Sequence, residues 1–309
     1  MIKIQNKTIG QNNKVFVIAE IGVNHCGNLI LAKKMIDQAV KAGADAVKFQ
    51  TFEAEKLVSP KTSKVKYQKK FTKKNESHFQ MIKSLELSKD NHKILFRYCK
   101  KKKIIFLSTP YDVDSAKFLN KIGCAAFKTA SADIVDLELH KYLAGTDKPV
   151  IISTGMSNLD EIKKCLQVYK KRKNKKIILL HCVSNYPSSK ESLNIKNLNV
   201  LQSKFKHLIG YSDHSEGNKA IMLSVALGAV VIEKHFTINK SLSGPDQKTS
   251  ILPNEFKKMV SDIKETKVIL GSEQKKCQNE EKEMLRISRK SLTLVSDIKK
   301  NQKILKQNL

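Results

Sequence analysis

Two short stretches decide the fold of this chain: "LIGYSDHSEG" at residues 208–217 and "VVIEKHFT" at residues 230–237. Each begins as an apolar run and ends abruptly in charged, hydroxyl and histidine side chains. These are Ser212, Asp213 and His214 in the first stretch, and Glu233, Lys234 and His235 in the second. A buried strand does not need such an ending in order to fold, so the polar clusters indicate a function at these strand ends.

The same pattern recurs along the chain. Six further short apolar runs also end in polar side chains: "VFVIAEIG", "AVKFQTF", "IIFLSTP", "AAFKTAS", "PVIISTG" and "IILLHCVS". Segments with helical periodicity separate the runs, and the N-cap candidates Asn28 and Asn158 precede two of these segments. Strand and helix alternate eight times over residues 15–270, which predicts a parallel sheet with crossover helices.

Eight repeats predict closure into a (β/α)8 TIM barrel. A doubly wound open sheet is the alternative, but "EIGVNHCGN" after the first strand is a poor match to its G-x-G-x-x-G phosphate loop. In a barrel the carboxyl ends of all strands open onto one mouth, where the polar endings would converge. The side chains expected there are Glu20, Lys48, Gln50, Thr109, Lys128, Ser131, Ser153, Tyr186, His214, Glu233 and His235.

Composition excludes several classes of protein. The 309 residues contain no run of about 18 apolar residues, and the polar N-terminus lacks the apolar core of a signal peptide. The six cysteines are scattered without a C-x-x-C pair, which is typical of reduced thiols. We therefore expect a cytoplasmic protein that does not enter a membrane.

The formal charge of +29 suggests nucleic-acid binding, but the kind of basic residue argues against it. Only 4 of the 58 basic residues are arginine, the side chain that base and phosphate recognition favours. The lysines spread over every predicted helix face. We interpret them as a solvated basic surface and expect no nucleic-acid partner.

Lysines at the predicted mouth indicate an anion site. Lys48 and Lys128 would stand at the ends of adjacent strands, with Ser131, Ser153 and Ser212 nearby. Such a group suits a phosphate or a carboxylate. Either lysine could instead form a Schiff base with a carbonyl substrate, as in barrel aldolases.

Histidines at the mouth indicate a metal site. His214 and His235 end neighbouring strands and could present two imidazoles to one divalent ion. Glu20 or Asp213, with water, would complete an open coordination shell.

Nine motifs carry a family resemblance. They are "AEIGVNHCGN", "VKFQTF", "FLSTPYD", "KTASAD", "ISTGM", "HCVSNYP", "GYSDHSEG", "IEKHFT" and "SGPD". Together, and in this order from about residue 13 to 272, they closely resemble the sialic acid synthase family. These enzymes condense phosphoenolpyruvate with an N-acetylmannosamine-type sugar into a nine-carbon 2-keto acid. "SLSGPD" resembles the N-acetylneuraminate and legionaminate branches of the family.

The resemblance implies a role for each matched residue. His214 and His235 match a pair that binds a divalent metal, normally Mn2+ or Mg2+, and they join the catalytic residues Glu20, Lys48 and Lys128. The implied substrate-binding residues are Gln50, Thr109, Ser131, Ser153, Ser184, Tyr186, Ser212, Glu233 and Asp246. The family mechanism adds C3 of phosphoenolpyruvate to the sugar aldehyde while water attacks C2, and phosphate then leaves by C–O cleavage.

Departures from the family pattern leave the exact sugar open. Ser184 stands where some relatives have Asn, and Asp133 replaces a more frequent Glu. Gln247 stands where many relatives have His, and we expect it to alter sugar recognition. N-acetylmannosamine is the first acceptor implied, and 2,4-diacetamido-2,4,6-trideoxymannose, the N,N'-diacetyllegionaminate precursor, is the alternative.

The C-terminal segment departs further from the family pattern. We expect a synthase barrel over residues 1–272, a charged linker over 273–285, and the start of a truncated antifreeze-like domain over 286–309. The strand-like "SLTLV" at 291–295 would dock on the protein, and the family resemblance implies a homodimer.

Three functions therefore remain to be distinguished. The first is an active synthase acting on phosphoenolpyruvate and an N-acylated amino sugar. The second is a silenced barrel that binds metal and phosphate without turnover. The third is a Schiff-base aldolase that uses Lys48 or Lys128.

Overall fold

The structure is a computed structural model that describes residues 1–59, 61–65, 68, 69, 72 and 75–309. The chain divides into two units, Met1–Leu270 and Gly271–Leu309. Among the described residues, no helix combines the length and the apolar character that a membrane crossing requires.

The first unit is built on eight parallel strands. They are β3 (Phe16–Gly22), β4 (Ala46–Thr51), β5 (Ile105–Pro110), β6 (Phe127–Thr129), β7 (Val150–Ser153), β8 (Ile177–Cys182), β9 (Leu208–Asp213) and β10 (Val231–His235). Their order in the sheet is β5-β4-β3-β10-β9-β8-β7-β6, and the two terminal strands β5 and β6 contact each other. The sheet therefore curls into a nearly closed barrel. This confirms the predicted (β/α)8 architecture and excludes the open sheet.

Helices connect and surround the strands. They are α1 (Leu29–Lys41), α2 (Ala54–Leu57), α3 (His78–Leu85), α4 (Lys89–Lys102), α5 (Val113–Ile122), α6 (Leu137–Gly145), α7 (Leu159–Lys171), α8 (Asn197–Phe205), α9 (Lys219–Ala226) and α10 (Pro253–Leu270). Both predicted N-caps are confirmed. The Asn28 side chain accepts a hydrogen bond from the Leu31 amide, and Asn158 forms a capping box with Glu161.

Successive side chains of each strand alternate between two cores. On β3, Phe16 and Ile18 pack inside the barrel, whereas Val17 and Ala19 pack in the outer layer with the helices. The same alternation directs Glu233 and His235 of β10 inward and Lys234 outward. Strand periodicity therefore determines which polar strand-end groups reach the mouth.

A hairpin that the sequence analysis missed lies before the barrel. Strand β1 (Ile2–Ile4) pairs antiparallel with β2 (Lys7–Ile9). Ile4 and Ile9 are fully buried and share a core with Phe16 and Val231, which begin barrel strands. The hairpin therefore covers the amino-terminal end of the barrel, opposite the mouth.

The second unit contains one α-helix, α11 (Lys282–Ser288), and short 3-10 turns. The strand-like interpretation of "SLTLV" is wrong, because residues 291–294 have no regular secondary structure. Leu292 and Val295 are largely exposed, so apolar β-propensity without a partner strand did not produce a strand.

Candidate active site

A buried network of lysines and glutamates fills the carboxyl end of the barrel. Lys48 on β4 places its Nζ atom 2.8 Å from Oε2 of Glu20 on β3 and 3.9 Å from Oε2 of Glu233 on β10. It also donates a hydrogen bond of 2.9 Å to Oγ1 of Thr109. Each of these four side chains is at least nine-tenths buried, so the structure confirms their predicted convergence.

Lys128 occupies the other side of this network, on β6, which β5 separates from β4, so the prediction that the two lysines lie on adjacent strands is wrong. Its Nζ atom donates to Oγ of Ser153 at 2.6 Å and lies 3.5 Å from Oε1 of Glu233. Glu233 also accepts a hydrogen bond of 2.8 Å from the Ser212 hydroxyl. Two ammonium groups thus flank one carboxylate, and the Ser153 and Ser212 hydroxyls stand beside them as further polar groups for an anion.

The carboxyl groups have opposite protonation tendencies. Burial raises the pKa of Glu20 to about 7, and the nearby Lys48 only partly offsets this effect. Burial also favours neutral Glu233, but Lys128 and Lys48 outweigh burial and lower its pKa to about 2. Glu20 can therefore exchange a proton near neutral pH, whereas Glu233 remains a fixed negative charge.

The two predicted metal-binding histidines face each other across the mouth. The rings of His214 and His235 have centroids 5.4 Å apart, and the Tyr186 ring lies 4.1 Å from His214 and 5.4 Å from His235. Nδ1 of His214 lies 2.8 Å from the Val183 carbonyl oxygen, which leaves Nε2 as the ring atom for a ligand. Burial lowers the pKa of His235, so its imidazole is neutral.

The donor set fits a divalent ion that takes most of its ligands from water or substrate. Within the described part of the chain, no group of three His, Cys, Asp or Glu side chains has metal-binding geometry. The protein would supply His214 and His235, and Nδ1 of His235 is buried without a hydrogen-bond partner. Oδ2 of Asp246 lies 3.9 Å from that atom.

Asp213 is not available to a metal ion, so that part of the sequence interpretation is wrong. Its carboxylate accepts hydrogen bonds from Lys234 at 2.6 Å and from the hydroxyls of Tyr211 and Ser215. Asp213 and Lys234 both follow inward-facing residues and therefore point away from the mouth. This buried ion pair was missed, although the period of two along β9 and β10 could have revealed it.

A third group of predicted residues surrounds Gly155. Its amide donates to Oγ of Ser131 at 3.1 Å. A Cβ atom at this position would lie 2.5 Å from Oγ of Ser184 and 2.7 Å from Oγ of Ser131, so only glycine lets both hydroxyls approach the backbone. Gln50 lies at the edge of the lysine–glutamate network, where its Nε2 atom is 3.5 Å from Oε1 of Glu20.

Cys182 is another residue that the sequence analysis did not single out. Its Sγ atom is buried 3.6 Å from Nδ1 of His214, beside the Val183 carbonyl. All six cysteines are free. His181, interpreted as structural, places Nε2 2.7 Å from the Leu193 carbonyl oxygen.

Comparison with known proteins gives the family. Residues 35–275 match the family described as "NeuB family". The N,N'-diacetyllegionaminic acid synthase of Campylobacter jejuni is 44% identical over 96% of this chain and 89% of its own length. This chain belongs to the NeuB family.

Two further relatives of this NeuB-family chain agree. The N,N'-diacetyllegionaminic acid synthase of Legionella pneumophila is 39% identical over 98% of the chain and 86% of its own length. The crystal structure of the N-acetylneuraminic acid synthetase of Leptospira borgpetersenii superimposes with a TM-score of 0.84 at 37% identity, covering 93% of this chain and 95% of that one. The chain is therefore an enzyme in a family of phosphoenolpyruvate-dependent, sialic-acid-type synthases.

Proposed function

We propose that this NeuB-family enzyme condenses phosphoenolpyruvate with an N-acylated amino sugar and releases phosphate. The observation that carries the proposal is the buried network in which Lys48 and Lys128 flank Glu233 beside three hydroxyl groups. Phosphoenolpyruvate carries a carboxylate and a phosphate within a few ångströms. Two buried lysines with converging hydroxyls are suited to hold both anions.

We propose 2,4-diacetamido-2,4,6-trideoxymannose as the acceptor, so that the product is N,N'-diacetyllegionaminate. Support comes from the two relatives with that name, which match nearly the whole chain. N-acetylmannosamine is the second candidate. It is supported by the match to the N-acetylneuraminic acid synthetase structure.

The reaction balances without a further reactant. C3 of phosphoenolpyruvate bonds to the aldehyde carbon of the sugar, and a water oxygen bonds to C2. The C2–O bond to phosphate then breaks, which leaves a 2-keto acid and inorganic phosphate. Water loses one proton and the former aldehyde oxygen gains one, so the number of protons is unchanged. Glu20 is the group suited to accept the water proton, since its pKa is raised to about 7.

The acceptor aldehyde would lie on the histidine side of the mouth. His214 and His235 would hold a divalent ion there, and such an ion acts as a Lewis acid on a carbonyl oxygen. The Tyr186 ring covers both imidazoles and offers an apolar face to the sugar. Asp246, which is buried beside His235, offers a hydrogen-bond acceptor for a sugar hydroxyl.

A Schiff-base aldolase remains the main chemical alternative because burial lowers the pKa of Lys128. Two observations favour the synthase. Lys128 already donates to Ser153 and to the Thr129 carbonyl, and it lies within ion-pair distance of Glu233. A lysine held by three acceptors is better suited to bind an anion than to attack a carbonyl. A silenced barrel would keep this geometry without turnover.

Phosphate release tests the proposal. The protein is incubated with phosphoenolpyruvate, Mn2+ and each of the two sugars in separate reactions, with and without EDTA. We expect metal-dependent release with both sugars and a higher kcat/KM with the diacetamido-trideoxy sugar. A higher kcat/KM with N-acetylmannosamine would reverse the choice of acceptor. No release with either sugar would refute the synthase proposal.

We propose a cytoplasmic homodimer and assign residues 286–309 to the start of an antifreeze-like domain. The exposed apolar side chains of Ile287, Leu292 and Val295 support a partner surface in this segment. Sedimentation equilibrium of the protein and of Leu292→Ser/Val295→Ser tests it, since a monomeric wild-type protein would refute the dimer.

A further inference from the structure

Gln247 is fully buried between two loops at the mouth of the barrel. One loop follows β10 (residues 236–252), and the other follows β3 (residues 23–28). Its Nε2 atom donates to the Asn24 carbonyl oxygen at 2.7 Å and also lies 3.4 Å from Sγ of Cys26. Its Oε1 atom accepts a hydrogen bond of 2.5 Å from the Thr237 hydroxyl. The amide is therefore fully used within the protein, so any effect of Gln247 on sugar recognition acts without direct contact with the sugar.

A second buried amide completes the connection between the two loops. Nδ2 of Asn24 donates to the Phe236 carbonyl oxygen at 3.0 Å and to Oγ of Ser250 at 2.8 Å. The Ser250 hydroxyl in turn donates to the backbone carbonyl of Asp246 at 2.6 Å. Two groups thus hold the backbone that follows Asp246: the Gln247 side chain directly after it, and Ser250, whose hydroxyl and amide both donate to the Asp246 carbonyl.

The Asp246 carboxylate itself lies beside the predicted metal-binding residue His235. Its side chain is 10% exposed, and Nδ1 of His235 lies 3.9 Å from its Oδ2 atom. A carboxylate that is partly exposed beside His235 can accept a hydrogen bond from a ligand, such as a sugar hydroxyl. Its position depends on the backbone of this loop, and therefore on the two amides, Asn24 and Gln247, that connect the loop to the rest of the mouth.

We propose that Gln247 is a positioning residue that fixes Asp246 for the acceptor sugar and thereby determines acceptor affinity without touching the sugar. The inference rests on the proposed function for the identity of the acceptor. Histidine is the conservative replacement at this position. A neutral imidazole, like a carboxamide, offers one donor and one acceptor in the same side chain.

Steady-state kinetics of Gln247→Met and Gln247→His provide the test. Methionine is similar in size to glutamine but removes both hydrogen bonds. We expect the acceptor KM to rise about tenfold or more, because a tenfold change in affinity corresponds to the free energy of one to two buried hydrogen bonds. The KM for phosphoenolpyruvate should change by less than about twofold, because the lysine side of the mouth is intact. Gln247→His should return the acceptor KM to within about threefold of wild type.

Asn174→Leu is the matched control. Asn174 is also a buried amide with two backbone partners, Lys148 and Lys176, but it precedes β8 at the opposite end of the barrel. We expect this variant to lose stability while keeping the wild-type acceptor KM. If Gln247→Met leaves the acceptor KM unchanged, or raises both KM values equally, the positioning role is wrong.

A crystal structure of Gln247→Met separates this inference from the proposed function. If the wild-type protein turned over neither sugar, the proposed acceptors would be refuted. The claim that Gln247 determines the position of Asp246 would still be tested by this crystal structure. In Gln247→Met we expect the Asp246 carboxylate to move by about 1 Å or more from its wild-type position, a displacement large enough to impair binding of the acceptor sugar. An unmoved Asp246 would overturn it.

Discussion

The Nζ atom of Lys48 lies 2.8 Å from Oε2 of Glu20, and both side chains are almost completely buried. Within the barrel, this lysine also approaches Glu233, whose Oε2 atom is 3.9 Å away. One ammonium group therefore lies between two carboxyl groups that would otherwise repel each other in a low-dielectric interior. The charge balance of the mouth depends on this contact.

Lys48→Met should remove both activity and stability. Loss of one partner leaves buried carboxylates uncompensated, so we expect the free energy of unfolding to fall by about 3–5 kcal/mol. Lys7→Met is the control, because the Lys7–Asp45 pair is partly exposed and should contribute less than about 1 kcal/mol. Urea unfolding measures both variants, and equal losses would contradict the account.

The outward pair of Lys234 and Asp213 should matter for folding and not for metal binding. Asp213→Asn leaves the Lys234 ammonium group buried without a full counter-charge, so we expect a loss of about 3 kcal/mol or more in urea unfolding. The affinity for Mn2+, measured by electron paramagnetic resonance titration, should stay within about twofold of wild type. If folded Asp213→Asn protein lost Mn2+ binding, Asp213 would have to be considered a metal ligand after all.

Chelation should distinguish the synthase from the aldolase. We expect EDTA to abolish phosphate release, Mn2+ to restore it, and His235→Ala to weaken Mn2+ binding by about tenfold or more. His207→Ala, which alters a partly buried histidine just before β9, should bind Mn2+ like wild type. Activity that survives EDTA, with borohydride trapping of substrate on a lysine, would instead establish a Schiff-base enzyme.

The N-terminal hairpin should contribute directly to barrel stability. Ile4 is fully buried in the inner core, so Ile4→Ala should lower the free energy of unfolding by about 2–4 kcal/mol. Ile30, which is 67% exposed on α1, provides the control, and Ile30→Ala should change stability by less than about 0.5 kcal/mol. If Ile4→Ala were equally neutral, the hairpin would not be part of the core.

Stability should fall on mild acidification because of buried neutral histidines. Burial lowers the pKa of His140 to about 4, against 6.5 in the unfolded chain. Between these two values the unfolded chain binds a proton that the folded protein excludes, so stability decreases as the pH falls from about 6.5 to 4. The total loss from this group is about 3 kcal/mol.

His140→Gln tests this pH dependence. We expect lower stability than wild type at pH 7.5, because the contact between Nδ1 and the Tyr169 hydroxyl is altered. The slope of unfolding free energy against pH near pH 5.5 should decrease by about 1.4 kcal/mol per pH unit, the value of one proton. An unchanged slope would show that His140 does not titrate in this window.

The sequence predicted the barrel because its strands are short, apolar and regularly spaced, and because their polar endings are visible without any structure. Period-two alternation also predicts which of these residues face inward, as His214 and His235 show. It was not applied to Asp213, which was wrongly considered a possible metal ligand. The hairpin was missed because "IKIQNKTI" is too short for its alternation to stand out.

Contacts across the mouth could not be predicted from the sequence. The distance between Lys48 and Glu20, and the position of Glu233 between two lysines, depend on barrel closure and strand register. The buried role of Gln247 depends on two loops that are more than two hundred residues apart in the chain. Local sequence patterns carry no information on such contacts.

The most direct test of the proposed condensation uses phosphoenolpyruvate that is labelled with carbon-13 at C3, and follows the label into the products. The enzyme is incubated with the labelled compound, Mn2+ and 2,4-diacetamido-2,4,6-trideoxymannose, and the products are analysed by NMR and mass spectrometry. The account predicts that the label enters a nine-carbon 2-keto acid as a methylene group bonded to the former aldehyde carbon, with one phosphate released per product. Label that remains in phosphoenolpyruvate, or that appears only in pyruvate, would contradict it.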